Sequence, residues 1–243
     1  MTQIGPLLSN MQAQWQRHEI LANNLANLST PGFKRDDLAF LPGAASEQDV
    51  AMTGADAAGA GMNGMRQWTD FSQGPLRDTG RTLDVALNGN GFFVVDTQNG
   101  PRYTRAGSFS VSPDGYLVTS GGLRVQGEQG PILVGSSRVR VTPRGEIYQD
   151  ERRLGALRVA DFPKPYGLLK EGNGLFAPAD PNVTAQAARE FEVTGGALEA
   201  SNVNPVEMMV NMIDIFRNYE AAQRALQAVD EASRQAITDI GKV

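Results

Sequence analysis

The sequence predicts a mainly β central domain flanked by long N- and C-terminal α-helices that pair as a coiled coil on assembly. Glycine and proline are absent from Leu7 to Thr30 and again from Val206 to Ile240, while 19 of the 27 glycines fall between Trp68 and Leu198. Both glycine-free ends space their apolar residues by three and four, the period of an amphipathic helix or a coiled-coil seam. The middle alternates with period two between turn signals, as short strands do. The chain therefore divides into an N-terminal axial helix and turn (1–33), a flexible linker (34–67), a β-rich core domain (68–198) and a C-terminal axial helix (199–243).

In the first segment Ile4, Leu8, Met11, Trp15, Ala22 and Leu25 form a stripe that Leu7, Leu21 and Leu28 widen. Pro31-Gly32 ends the helix and turns the chain. Ala51 to Gly64, rich in alanine and glycine, reads as a mobile linker. In the core domain Phe92-Phe93-Val94-Val95 is an apolar run suited to a buried strand, and Arg138 to Thr142 alternates. Leu83, Val85 and Leu87 take alternate positions and are expected in the core. Asn99-Gly100, Pro113-Asp114-Gly115, Gly121-Gly122 and Arg144-Gly145 are the turns between strands. At the last segment Asn204 caps a helix and Pro205 occupies its first turn. Met209, Met212, Ile213, Phe216, Tyr219, Ala222, Leu226, Val229, Ala236, Ile237 and Ile240 then follow, interrupted by the polar Ser233. Such a helix is roughly 50 Å long at 1.5 Å per residue.

Composition removes several kinds of function. The net charge of −5 is spread without a basic stripe, which excludes a nucleic-acid partner. With no cysteine there is no disulfide framework, thiol catalysis or cysteine zinc site. The N-terminus has no basic region followed by an apolar core, so no cleaved secretory signal is expected. Gly89-Asn90-Gly91 lacks the third glycine of a dinucleotide loop, with Val94 in that place and a strand following. Asp78, Asp84 and Asp114 form no recognisable acid–base pair, and the lone His18 has no second metal ligand. No cofactor, metal or small-molecule substrate is expected, and the chain is read as a non-enzyme.

A helix with one apolar face is not stable alone in water. Each end needs the other terminus or the termini of neighbouring chains, and the pattern alone leaves both open. Length favours neighbours, since a 50 Å helix overhangs a β domain about 35 Å across.

The strings at the ends go further. Ala22 to Asn27 and Thr30 to Lys34, with Leu198 to Met209, resemble the terminal signatures of the bacterial flagellar basal-body rod family of rod and hook axial proteins. Gln73 to Leu76, Thr79-Gly80, Leu83 to Leu87, Gly91 to Val95, Tyr103 to Gly107 and Asp114 to Thr119 are similar to that family's central module. Within it, the chain is most similar to FlgF-type proximal rod proteins, next to FlgG-type distal ones, because only a short stretch separates Phe176 from Leu198. The resemblance implies a structural subunit of the rod crossing the periplasm, exported by the flagellar type III system without a cleaved signal. Its implied partners are proximal and distal rod proteins, hook-side neighbours and the export apparatus. The implied assembly interface is Leu8, Met11, Trp15, Leu21, Asn24, Leu25 and Leu28 with Met209, Met212, Ile213, Phe216, Tyr219, Leu226, Val229 and Ile237. Asn23, Asn24 and Asn27 either fix seam register or cap the chain leaving the helix. The competing classes are a periplasmic β-rich cell-wall hydrolase and a free-standing binding module.

Overall fold

The computed structural model describes residues 4–40, 65–135 and 139–240. The Ala51–Gly64 stretch and Arg138 lie outside the described residues. Two helices, α1 (Ile4–Ala26, 23 residues) and α2 (Pro205–Ile240, 36 residues), bracket a mainly β body. They are unequal, about 35 and 54 Å by their residue counts. The N-terminal helix is therefore the short one of the pair.

The body is organised on a six-stranded antiparallel sheet. Its order is Leu168–Gly172, Leu175–Pro178, Gly100–Thr104, Phe92–Thr97, Val159–Asp161 and Gln186–Ala187. The central strand explains why Phe92 to Val95 is apolar throughout rather than alternating. Successive side chains point to opposite faces, and both faces are covered. Phe92 and Val94 join a cluster with Tyr103, Phe162, Leu168 and Phe176. Phe93 and Val95 join a larger one with Val85, Leu87, Phe109, Val125, Leu157 and Val159. The aromatic rings on the first face meet edge to face, as Tyr103 and Phe162 do at 4.7 Å. The expected turns separate strands: the chain reverses at Asn99-Gly100 between Phe92–Thr97 and Gly100–Thr104, and at Arg144-Gly145 between Arg140–Val141 and Glu146–Gln149.

Val85 and Leu87 are buried as expected, with Leu83 packed against the same cluster. Asp84 between them is also buried, held by the Thr79 hydroxyl, which donates to Oδ2 at 2.7 Å. Two ladders carry the chain out of the body. Val85–Gly89 pairs with Phe191–Gly195, and Leu76–Asp78 with Ala197–Glu199. These pairings bring the segment before α2 beside the segment that enters the core, although more than a hundred residues separate them.

The two ends of the stretch read as a linker are strands. Asp36–Phe40 and Met65–Thr69 form an antiparallel ribbon in the register Asp36↔Thr69. The Thr69 hydroxyl donates to the Asp36 carboxylate at 2.6 Å. Only pairing of two segments remote in sequence makes this ribbon, so composition did not reveal it.

Candidate assembly surface and the junction behind it

The helices pack on each other within the chain at their roots. Leu21, Phe33, Val203, Met208 and Ile215 form one buried cluster, with Leu28 and Met212 against it. His18 meets Phe216 edge to face at 5.4 Å and stacks on Trp15 at 6.0 Å. Asn204 caps α2 as expected, its Oδ1 accepting the backbone N–H groups of Val206 and Glu207 at 3.1 and 3.4 Å.

The covered side of α2 runs Met208, Met212, Ile215, Tyr219, Ala222, Leu226 and Val229, each buried or half-buried, in strict steps of four and three. The covered side of α1 runs Met11, Gln14, His18, Leu21 and Leu25 in steps of three and four, with Leu28 continuing it just past the helix end. Both are the spacing of a heptad seam. The stripe expected from sequence is displaced from these rows at two places. Trp15 is 59% exposed, because the row passes through the polar Gln14 and His18 instead. Met209, Ile213 and Phe216 are 55, 53 and 52% exposed, whereas Met208 and Ile215 are buried. Apolar residues occupy two adjacent sides of α2, and sequence alone does not say which one faces α1. Leu21 and Asn24 are buried; Met11, Leu25, Leu28, Met212, Tyr219, Leu226 and Val229 are half-buried. The side chains of Leu8 and Ile237 lie outside the described residues.

The uncovered side is an apolar row of Val206, Met209, Val210, Ile213 and Phe216, every member more than half exposed, continued across to Trp15. Large apolar side chains concentrated in this way make the row a candidate interaction surface.

Behind that surface lies a junction that sequence reasoning did not single out. Lys34, just after the α1 turn, and Glu199, just before α2, are both fully buried, with Nζ 2.5 Å from Oε1. The same Oε1 accepts the Gly74 N–H at 3.0 Å. The other carboxylate oxygen receives Arg105 from the β body at 3.3 Å. Lys34 also donates to the Ser72 carbonyl at 2.7 Å, and Arg105 to the carbonyls of Leu87 and Gly89. Two cations thus share one carboxylate out of water. Burial pushes the Lys34 ammonium below its ordinary 10.5, and Glu199 only partly offsets this. Burial lowers Arg105 in the same way.

Neutral groups complete the joint. Asn24 donates to the Asp36 carbonyl at 2.7 Å and accepts the Asp36 N–H at 2.9 Å, so it serves the chain leaving the helix rather than a helix–helix seam. Asn27 donates to the Asn23 carbonyl at 2.9 Å in the same capping sense. Asn202 accepts the Arg35 N–H at 2.7 Å and donates to the Asp70 carbonyl at 2.8 Å. Gly32, at φ +68°, donates its N–H to the Glu199 carbonyl at 2.8 Å. A Cβ at Gly32 would strike the Arg105 and Ala106 backbone, and one at Gly74 the Ala200 carbonyl, so both close approaches require glycine. The signal for the junction was present in the motif strings Thr30 to Lys34, Tyr103 to Gly107 and Leu198 to Met209, which hold the three residues. Nothing local in them says that the three meet.

Three family profiles match in order along the chain. They are "Flagella basal body rod protein" over residues 7–34, "Flagellar hook protein FlgE/F/G D1 domain" over 86–149 and "Flagellar basal body rod FlgEFG protein C-terminal" over 194–239. Lys34, Arg105 and Glu199 fall one in each. Over its length the chain is 32% identical to the flagellar basal-body rod protein FlgF of Caulobacter vibrioides, with 97% of this chain and 96% of the relative covered. It is 35% identical to the FlgF of Salmonella typhimurium, with 89% of each chain covered. It is 32% identical to the FlgG of Buchnera aphidicola subsp. Baizongia pistaciae, with 92% and 94% covered.

Proposed function

The chain belongs to the flagellar basal-body rod protein family and is a structural subunit of that rod, and we propose that it stands in the proximal rod as a FlgF-type subunit, joined to its neighbours through its terminal helices. The observation that carries the second half is the uncovered row from Val206 to Phe216. In this reading α1 and α2 of one chain pair as a short coiled coil along their covered rows. The uncovered row and Trp15 then seat on the helices of the next copy, and repeating one head-to-tail contact builds an open helical assembly. The β body, whose apolar residues mostly pack into its own two clusters and leave Leu133 and Leu169 exposed only singly, faces outward. Leu8, Met11, Trp15, Leu21, Leu25, Leu28, Met209, Met212, Ile213, Phe216, Tyr219, Leu226, Val229 and Ile237 keep their proposed place at these helix contacts, while Asn24 is assigned instead to the Asp36 backbone at the junction.

The proximal assignment rests on the short stretch between Phe176 and Leu198. The FlgG relative is matched at the same 32% identity as the Caulobacter FlgF, which keeps the distal rod as the second reading. Expression in strains lacking one or the other rod protein separates them: motility returns in the FlgF-deficient strain under the first reading and in the FlgG-deficient strain under the second. The reading further holds that the chain reaches the periplasm by the flagellar type III route, and that it performs no cell-wall hydrolysis.

The seam is tested with Ile213→Asp and Phe216→Asp, with Arg158→Asp, an exposed residue just before the Val159–Asp161 strand of the β body, as control. Each seam change places a charge at a surface meant to be desolvated, a penalty of several kcal/mol on assembly. The expected outcome is a folded subunit and a non-motile cell, with the control swimming. Seam variants that swim normally beside a non-motile control would move the assembly surface to the β body.

A further inference from the structure

We infer that the buried Lys34–Glu199–Arg105 triad is an orientation lock: it fixes the angle at which the helix pair stands on the β body, and Lys34 is its positioning residue. The proposal deepens the rod reading, because a subunit whose helices and β body contact different neighbours needs one defined angle between them.

The β body holds two apolar clusters and the helix roots hold a third. No residue is shared between the root cluster and the other two. Apolar contact is non-directional, so such clusters alone would let one unit rock on the other. Directional bonds cross the joint instead. Glu199 sits on the strand leading to α2. One of its oxygens takes Lys34 from the α1 side, and the other takes Arg105 from the β body. A single carboxylate thereby ties three segments that are 165 and 94 residues apart in pairwise sequence separation.

The triad is poorly suited to being a mere filler. It holds a net charge of +1 away from water, and buried ion pairs of this sort are often matched or exceeded in stability by apolar replacements. Lys34 is the surplus cation, since Arg105 alone would neutralise Glu199 and also serves the Leu87 and Gly89 carbonyls. A residue that adds a desolvated charge without being needed for neutrality is explained by the geometry it imposes. Specificity obtained at the expense of stability is the attested use of such groups.

Lys34→Met tests this. The substitution leaves a neutral Glu199–Arg105 pair and an apolar side chain of similar length. Because the chain has no cysteine, Asn99→Cys on the β body and Gln223→Cys on α2 can carry spin labels without background. Both positions are exposed. The wild-type full chain is expected to give one narrow distance peak. Lys34→Met is expected to melt at the same or a higher temperature and to lose that single narrow peak. Arg153→Met, which removes an ion pair with Glu146 within the β body, should leave the peak as it is. An unchanged peak in folded Lys34→Met overturns the proposal. If Lys34→Met does not fold, Lys34→Gln is read with the same labels, and an unchanged peak there overturns it equally. The distance measurement uses the isolated chain, so it stands whether or not the rod reading does. Motility of the Lys34→Met strain supplies the link: loss of swimming by a folded subunit is expected, and full swimming with a broadened peak would sever the lock from assembly.

Discussion

Phe93 and Phe216 are the same residue in opposite circumstances. Phe93 lies at 0% exposure in the β body, between strands of its own chain, while Phe216 stands 52% exposed on α2. The β body gathers enough apolar side chains on both faces of one sheet to satisfy itself. The helix pair satisfies only one side, through Leu21, Met208 and Ile215, and leaves the adjacent side open. The same chemistry therefore serves folding in one region and is left available for association in the other. The junction differs from both, since charge and hydrogen bonds hold it rather than apolar area.

The largest effects should come from the junction and the sealed core. Glu199→Ala strands two buried cations, at about 3–5 kcal/mol. The melting temperature should fall by roughly 6–20 °C, on the scaling for a chain of this size. Thermal unfolding of the purified chain measures it, and a change within error would mean that water reaches Lys34 and Arg105.

Phe93→Ala sharpens the contrast with Phe216. It empties a sealed site and should cost about 3–5 kcal/mol, whereas Phe216→Ser, which gives up only the edge contact with His18, should cost about 0.5–1.5 kcal/mol in the isolated chain. Denaturant titration of both variants compares them directly. Comparable losses would mean that α2 is covered in the free chain.

Asn24→Ala removes a donor and an acceptor that hold the Asp36 backbone at the base of the ribbon. Leaving those groups unpaired should cost about 1–3 kcal/mol. Hydrogen exchange should quicken along Asp36–Phe40 before the six-stranded sheet is affected.

The smallest effect is a pH dependence. Because folding lowers the Lys34 pKa, the unfolded chain holds more protons between that lowered value and 10.5. Wild-type stability from this group therefore rises with pH through that window. Lys34→Met lacks the contribution, so any advantage it has near neutrality should shrink as pH approaches 10.5. A constant difference across the window would show that Lys34 titrates normally.

The parts legible in advance were local ones. The apolar run at Phe92 to Val95, the turns at Asn99-Gly100 and Arg144-Gly145, and the Asn204 cap each depend on neighbours within a few residues, and each appears where its pattern placed it. The helices were legible as periodic segments. Which side of α2 turns inward was not, since Met209 and Met208 are equally apolar and only packing against α1 chooses between them. The ribbon from Asp36 to Thr69 was missed because a strand of five residues shows its nature only through its partner.

Sequence by itself determined most element types, the ribbon aside, together with the division into helical ends and β middle and the family, because propensity, periodicity and linked motif strings are written in adjacent residues. Tertiary structure alone decided that Lys34, Arg105 and Glu199 meet. Their sequence separations of 165 and 94 carry no local signal. A charge reads as a solvated surface residue until the fold removes its water, and only then must it find a partner.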